Sequence, residues 1–199
     1  MGCCFPIALA AGGYWRAFFS AAAAAILMAG ASWPAFGSEA WLAFLGNIGH
    51  TSQAFLSQGW ADWSKLQTAF GLTRTLGGSE TLAWIVQAAV FLAAAISVAI
   101  IWHSKAAYDL KAAALGVGAL AATPYLYMYD LVVLAVPIAF LLRFANTRGY
   151  LPKELIGVGI ACGLILIFPL VKFPVGFVAL VLIAALVGRR LFIPASAAA

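Results

Sequence analysis

The stretch AAALGVGALAATPYLYMYDLVVLAVPIAFLL, from Ala112 to Leu142, decides how this chain folds. A single helix of that length would measure about 46 Å, against a bilayer hydrocarbon core of ~30 Å. Basic residues flank the stretch on both sides, and basic loops remain on the cytoplasmic side of a membrane. They are Lys105, Lys111, Arg143, Arg148 and Lys153. Both ends therefore lie on one side, and we predict a hairpin that turns at Thr123-Pro124, because proline disfavours helix there.

The tip of this hairpin is predicted to hold a functional site. Each arm has about 15 residues, fewer than the ~20 of an upright span, so the tip should stop near the outer headgroups. Tyr125, Tyr127 and Tyr129 lie there together with Asp130. The carboxylate either lines a pocket or caps the returning helix, where the helix dipole favours its charge. The tyrosines either contact a bound ligand or belong to the aromatic belt of a membrane protein.

The composition indicates an all-α, polytopic transmembrane helix bundle that forms one membrane domain over residues 1–199. The chain is 65% hydrophobic and 9% charged, with a mean hydropathy of +1.04. Its net charge of +5 comes from basic residues spread singly through loops, a pattern typical of membrane topology and not of a nucleic-acid interface. We predict no cleaved signal peptide. We count about six crossings and a partial one at the start, over Phe5–Gly13, Ala17–Phe36, Thr81–Trp102, the two hairpin arms, Leu155–Val171 and Val175–Val187.

Residues 37–79 are predicted to form an outer interfacial loop. The segment holds Trp41, Trp60 and Trp63, and tryptophan prefers the headgroup level. The spacing of Trp63, Leu66 and Phe70 predicts an amphipathic helix along the membrane, capped by Asp62 and ended by Gly77-Gly78. Continued through Gly71, this helix would place Gln67 and Arg74 on one face, opposite Lys65.

Lys65 and Arg74 are candidate ligands for an anion. Eight basic residues fall on the predicted inner side, and only these two and Lys172 fall outside. A guanidinium can bind two oxygens of a phosphate at once, although both residues could equally be solvated charges. Gln67 joins the candidates because it shares Arg74's predicted face. His50 and His103 lack a second histidine at metal spacing, so we predict no metal site, and Trp84 and Gln87 are expected to serve helix packing.

Several segments together resemble the C-terminal half of glycosyltransferase family 87, over roughly Phe5 to Leu142. They are CCFPIALAAGGYWRAF, FGSEAWLAFL, WSKLQTAFGLTRTLGGSETLAW and LKAAALGVGALAATPYLYMYDLVVLAVPIAFLL, in that order. The resemblance implies a membrane enzyme of the GT-C class. Such an enzyme takes a hexose from a polyprenyl-phosphate carrier and adds it, with inversion, to a glycan or glycolipid on the outer face.

The resemblance also implies what this chain lacks. Enzymes of this class carry a general-base aspartate after their first transmembrane helix, and nothing here corresponds to it. We therefore expect an N-terminally truncated part of a larger fold, inactive alone, in a bacterial inner membrane. Asp130 and Tyr129 would form the catalytic pocket wall, and Lys65, Gln67, Arg74, Tyr125 and Tyr127 would bind substrate, with no cofactor besides the lipid-linked donor. The alternatives are a small transporter and a non-catalytic assembly subunit.

Overall fold

The computed structural model describes residues 3–59 and 62–192, and this part of the chain is almost entirely helical. Trp60, one of the predicted interfacial tryptophans, lies outside the described residues. Eight α-helices are present there, and shorter 3₁₀ or π turns lengthen or separate them. The α-helices are α1 Cys4–Ala11, α2 Trp15–Ser52, α3 Ala69–Thr75, α4 Glu80–His103, α5 Tyr108–Ala121, α6 Ala135–Arg148, α7 Glu154–Ile167 and α8 Val175–Phe192. The predicted all-α class is therefore confirmed.

The predicted hairpin is present, and its turn lies where proline interrupts the helix. α5 ends at Ala121, and the Thr123 hydroxyl accepts a hydrogen bond from the Tyr125 amide beyond Pro124. The chain then returns through a 3₁₀ segment, Met128–Leu134, into α6. The arms run antiparallel, because Asp109 forms an ion pair with Arg143 at 3.7 Å and Gly116 lies against Pro137. The tip of the hairpin is therefore close to Leu126.

A second hairpin, α7 with α8, packs beside the first. The main apolar core lies between the two hairpins, and Leu120, Leu134, Leu180 and Ile183 are among its fully buried side chains. The last arm, predicted over Val175–Val187, is longer in the structure. α8 continues to Phe192, and the Arg190 guanidinium is buried against the Glu154 carboxylate. A buried charge needs such a partner, because the interior solvates it poorly.

Of the first two helices, α1 packs closely on α4, whereas α2 is largely exposed. α1 is half a span long, as predicted, and its Ala8 is buried with Val98 and Trp102 of α4. The span predicted over Ala17–Phe36 is part of α2, which bends at Gly37, where φ is 79°. Glycine tolerates this left-handed conformation without a steric penalty. α2 then resumes as far as Ser52, so the predicted outer loop is more helical than we expected.

The predicted amphipathic helix after Asp62 is wrong as a single element. Asp62 does cap a turn, because its side chain accepts a hydrogen bond from the Ser64 amide, but this turn is a 3₁₀ segment that covers only Trp63–Lys65. Leu66 then pairs with Tyr127 in an isolated antiparallel bridge, and Thr68 caps the separate helix α3. The periodicity of apolar residues favours a helix here, but Leu66 instead adopts an extended conformation, and Leu66 and Gln67 pair with the hairpin tip. This pairing buries both side chains.

Four helical segments of the described residues are long and apolar enough to cross a membrane: Trp15–Ser57, Glu80–His103, Met128–Arg148 and Val175–Phe192. α7 is a shorter apolar helix. Ser79 caps α4, because its hydroxyl group accepts a hydrogen bond from the Leu82 amide. The count of six crossings stays a prediction, as do the placement of residues 37–79 at the outer interface and the assignment of the whole chain to one domain.

Candidate functional site

Three parts of the chain meet at the end of the bundle that carries the hairpin tip. Leu56, Leu66, Phe70 and Ala83 form a small buried cluster, which we name the tip cluster. Trp63, Tyr125 and Tyr127 are partly buried and pack against it. The segment after α2, helix α3 and the hairpin tip therefore share one apolar base, although they are far apart in the sequence.

Gln67 joins this assembly to α8. Its side chain is completely buried: Nε2 donates to the Ser64 carbonyl at 3.0 Å, and Oε1 accepts from the Gly176 amide at 2.7 Å. Its backbone amide donates to the Leu126 carbonyl at 2.7 Å. Gln67 therefore does not share a helix face with Arg74, and both ends of its amide are engaged by the protein. Its contacts are those of a structural joint, and its predicted part in substrate binding stays a prediction.

Arg74 lies over an aromatic ring and is only partly satisfied by the protein. Its guanidinium carbon is 4.0 Å from the centre of the Trp63 ring, and Nη1 donates to the Gly78 carbonyl at 3.0 Å. The Trp63 indole is itself held by a hydrogen bond from Nε1 to the Leu56 carbonyl. Buried Nε of Arg74 has no hydrogen-bond partner, and neither of the two ion pairs in the described residues involves this residue. The Arg74 guanidinium is therefore held in place by its contacts, and it retains N–H groups that can donate hydrogen bonds to a ligand.

The three tyrosines of the tip differ in exposure and contacts. Tyr127 stacks on Tyr129 with ring centres 5.7 Å apart and meets the Phe55 ring edge-on. Its hydroxyl oxygen is buried without a hydrogen-bond partner. Tyr129 is 71% exposed, and Tyr125 is half-buried on the tip cluster. The tip therefore presents one free aromatic face beside one unsatisfied hydroxyl group.

Asp130 supports the backbone of the tip. Its Oδ2 accepts a hydrogen bond from the Tyr127 amide at 3.0 Å, and its own amide donates to the Tyr127 carbonyl. The sequence suggested two roles for Asp130, lining a pocket or capping the returning helix, and these hydrogen bonds form the capping arrangement. A carboxylate has two oxygens and several lone pairs, so one capping bond does not use up its capacity to accept hydrogen bonds. The predicted pocket role of Asp130 stays a prediction.

Among the remaining charged groups at this end, Glu80 is half-buried and accepts a hydrogen bond from the Ser57 hydroxyl at 2.7 Å, and the others are exposed. Lys65 and Lys172 reach solvent, and Asp62 lies near both. The pKa of Asp62 is lowered below its ordinary value of 3.8, first because the Ser64 backbone amide donates to its carboxylate and then because of the Ser64 hydroxyl and the two lysines. Asp62 also has a positive φ of 62°. At this end the exposed Lys65 and Lys172 and the partly buried Arg74 are accompanied by the carboxylates of Asp62, Glu80 and Asp130.

Two structural residues tie the site to the bundle. Gln87, which we expected to serve packing, is buried; its Oε1 accepts from the Phe70 amide and its Nε2 donates to the Ala121 carbonyl. Trp84 meets the Phe70 ring edge-on. No pattern in the sequence pointed to Gly176, whose missing Cβ leaves room for Leu131 and Gln67. Trp63 was assigned to the membrane interface, and its role beneath Arg74 was missed.

Arg74, Tyr125, Tyr127 and Tyr129 are thus brought to one end, around the Trp63 ring and the tip cluster. Lys65 adjoins this group from the exposed side of the 3₁₀ turn. His50 and His103 are not brought together, and His103 lies against the Ala11 carbonyl near the opposite end of α4. No group of three His, Cys, Asp or Glu residues suited to a metal ion occurs within 3–59 and 62–192.

The comparisons with known proteins agree with the resemblance seen in the sequence. The profile of glycosyltransferase family 87 matches residues 1–128 of the 199. The match includes Trp63, Arg74, Tyr125 and Tyr127 and stops immediately before Tyr129 and Asp130. No curated protein and no solved structure matches the chain. The apolar helices and the family match indicate an integral membrane protein. The chain belongs to glycosyltransferase family 87, a family of membrane glycosyltransferases.

Proposed function

We propose that this chain binds the lipid-linked sugar donor of a membrane glycosyltransferase, at the end that carries the tip cluster. The donor would be a polyprenyl-phosphate hexose, and the acceptor a glycan or glycolipid. One observation carries the proposal. The two buried side-chain polar atoms without a partner in the described residues, Arg74 Nε and the Tyr127 hydroxyl, both belong to side chains arranged around Trp63 and the tip cluster.

Such atoms favour an anionic ligand. A buried donor without a partner costs roughly 1–3 kcal/mol, and a bound oxygen atom recovers that cost. Both groups can donate, and the arginine adds a positive charge that a phosphate would neutralise. Stacking on Trp63 fixes the plane of the guanidinium, so the fork is already oriented when the anion arrives.

The reaction then follows from the chemistry of a sugar phosphate. An acceptor hydroxyl oxygen attacks the anomeric carbon, the bond from that carbon to the phosphate oxygen breaks, and the phosphate leaves with the electron pair. A base takes the hydroxyl proton. Arg74 would stabilise the charge that grows on the leaving phosphate, and interactions that strengthen in this way raise the rate. We assign the base to no residue of this chain.

The hairpin tip would hold the sugar and the acceptor. The exposed ring of Tyr129 and the half-buried ring of Tyr125 offer apolar faces for a sugar ring. Asp130 would form the wall beneath them, with Lys65 at the solvent edge. Gln67 would keep the tip in register with α8, since its hydrogen bonds join the two. The location would be a bacterial inner membrane, with this end on the outer face.

The proposal is tested by replacing Arg74 in membranes that contain the complete gene product. Radiolabelled polyprenyl-phosphate hexose is supplied, and the label that passes to acceptor is counted. Arg74→Ala should lower transfer by roughly 10- to 100-fold, the equivalent of one charged hydrogen bond. Arg74→Lys should recover only part of this loss, because lysine lacks the fork and the stacking plane.

Arg148 provides the matched control, since it is an exposed arginine of the predicted cytoplasmic loop. Arg148→Ala removes the same charge and should leave transfer unchanged. Full activity of Arg74→Ala at a normal protein level would contradict the proposal.

A further inference from the structure

One face of the Arg74 guanidinium is connected to Glu80 through the segment that follows α2. The Trp63 ring lies under the guanidinium, with the ring centre 4.0 Å from the guanidinium carbon, and Trp63 Nε1 donates to the Leu56 carbonyl at 3.0 Å. Ser57 comes next in the chain after Leu56, and its hydroxyl group donates to the Glu80 carboxylate at 2.7 Å. The aromatic support of Arg74 is therefore anchored to the first turn of α4.

The edge of the same guanidinium is connected to Glu80 through the turn after α3. Arg74 Nη1 donates to the Gly78 carbonyl at 3.0 Å, and the Gly78 amide donates to the Thr73 carbonyl at 2.9 Å. Glu80 begins α4 shortly after Gly78. These contacts close a circuit, which we name the Arg74 circuit and which consists of Arg74, Trp63, Leu56, Ser57, Glu80 and Gly78.

The hydrogen bond between Ser57 and Glu80 is the contact of the Arg74 circuit that joins the most distant parts of the chain. It spans 23 positions of sequence, whereas the bond of Trp63 to Leu56 spans 7 and that of Arg74 to Gly78 spans 4. Without this bond, the circuit no longer ties the segment that carries Leu56 to α4, and the Trp63 ring can shift relative to Arg74. The plane of the guanidinium is then no longer fixed.

Loss of this order should weaken the binding of an anion. A long side chain that is already held in its binding geometry gives up little freedom when the ligand arrives, whereas a free side chain gives up more and binds more weakly. Arginine is especially sensitive to this effect, because its planar fork must face two phosphate oxygens together. A contact that only holds Arg74 in place therefore contributes to donor affinity without touching the donor.

We propose that Glu80 is a positioning residue, which accepts the Ser57 hydrogen bond and thereby keeps the Trp63 ring beneath Arg74, ready for the donor phosphate. The identity of the ligand rests on the proposed function, whereas the placement of Arg74 by the circuit does not. Glu80 also lies in the first turn of α4, where the helix dipole favours its negative charge. A test must therefore separate the hydrogen bond from this charge and from the stability of α4.

Single variants make this separation in membranes that contain the complete gene product. Ser57→Ala and Glu80→Ala each remove the hydrogen bond. Glu80→Gln removes the charge but retains an oxygen atom that can accept from Ser57. Ser79→Ala is the matched control, because it removes the hydroxyl group that caps α4 by accepting from the Leu82 amide, and it leaves the Arg74 circuit intact.

The first measurement is the KM and kcat of sugar transfer from a radiolabelled polyprenyl-phosphate hexose. Ser57→Ala and Glu80→Ala should raise the KM for the donor by about 2- to 10-fold, the range expected for one hydrogen bond. The kcat should remain nearly unchanged, because Arg74 is then ordered when the donor binds and not during the reaction. The double variant should raise KM no further, since both changes remove the same contact. Glu80→Gln and Ser79→Ala should keep the KM of the wild type.

The second measurement is the reaction of Arg74 with phenylglyoxal, which requires neither donor nor activity. Mass spectrometry gives the rate of modification of Arg74 relative to that of the exposed Arg148 in the same protein. Ser57→Ala and Glu80→Ala should raise this ratio by about 2- to 10-fold, because the guanidinium then spends more time away from the Trp63 ring. Ser79→Ala should leave the ratio unchanged.

The outcomes separate this inference from the proposed function. Wild-type KM and wild-type reactivity of Arg74 in Ser57→Ala would overturn the positioning role, and the proposed function would stand if Arg74→Ala still lowers transfer. Equal increases in Ser79→Ala would overturn the positioning role as well, because the effect would then come from the stability of α4. Faster modification of Arg74 in Ser57→Ala, together with full transfer by Arg74→Ala, would instead support the positioning role and contradict the proposed function.

Discussion

Gln67 and Gly176 are joined by a hydrogen bond of 2.7 Å between the glutamine Oε1 and the glycine amide, across 109 positions of sequence. The same glutamine donates through Nε2 to Ser64 and through its backbone to Leu126. One buried residue therefore links the turn after Asp62, the hairpin tip and the first turn of α8, through its side chain and its backbone amide. The geometry of the candidate site depends on this joint, because the parts that it connects share no continuous element.

We predict that Gln67→Leu destabilises the protein by about 1–3 kcal/mol for each buried group left without a partner. The leucine has a similar size but can satisfy neither the Gly176 amide nor the Ser64 carbonyl. Thermal unfolding in detergent would show a lower midpoint. Gln58 is exposed, and Gln58→Leu should leave the midpoint nearly unchanged. Equal midpoints for the two variants would contradict the structural role of Gln67.

The buried pair of Glu154 and Arg190 is predicted to be the most sensitive point of the second hairpin. Each side chain is 1% exposed, and Arg190 also donates to the Gly149 carbonyl at 2.8 Å. Arg190→Met leaves the Glu154 carboxylate buried without its cation and should cost about 3–5 kcal/mol of stability. The double variant Glu154→Leu, Arg190→Met should recover much of this loss, since no charge is then buried.

The neighbouring residue Arg189 supplies the control for this experiment. It donates to the Pro152 carbonyl at 2.9 Å from an exposed position. Arg189→Met should cost only about 0.5–1.5 kcal/mol, the usual net contribution of one hydrogen bond. Unfolding in detergent at increasing denaturant measures all three variants. Similar losses at positions 189 and 190 would contradict the assignment of a buried, compensated charge.

Two variants of Asp130 separate its support of the backbone from its charge. Asp130→Asn keeps a side-chain oxygen that can accept from the Tyr127 amide, so the fold should be retained. Asp130→Ala removes that oxygen and should cost about 1 kcal/mol, as the loss of a capping side chain does. If Asp130 forms the pocket wall, the Asn variant lowers transfer by about tenfold at unchanged stability, the effect of ~1.4 kcal/mol on a barrier. Unchanged transfer would contradict the pocket role of Asp130 and leave only its capping of the backbone.

Acid should weaken the turn that Asp62 caps. The pKa of Asp62 is lowered in the folded protein because the Ser64 amide donates to the ionised carboxylate. Its contribution to stability is therefore present above the ordinary pKa of 3.8 and is lost as the pH falls below it. Asp62→Asn tolerates the positive φ and removes this acid-sensitive component. Comparing unfolding midpoints at pH 6 and pH 3 tests this, since the wild type should lose more stability than the variant.

The sequence was sufficient for features that depend on local composition and chain chemistry. The hairpin turn followed from proline at 124 and from basic residues at both ends of a stretch too long for one span. The cap at Ser79 also depends only on local sequence, because serine is a preferred N-cap residue and the acidic Glu80 follows it in the first turn. Arg74 was identified as a candidate because it is one of three basic residues on the predicted outer side, and the tyrosines because they lie at the predicted tip of the hairpin.

Only the tertiary structure decided which of these residues meet and what each contacts. Helical periodicity placed Gln67 beside Arg74, but pairing of Leu66 with Tyr127 ended that helix and buried Gln67. The stacking of Arg74 on Trp63 and the pairing of Glu154 with Arg190 arise from contacts that depend on how the helices pack. Local patterns indicate whether each segment favours a helix, a turn or the membrane. The hydrogen-bond partners of buried polar groups are decided only when segments that are distant in sequence pack together.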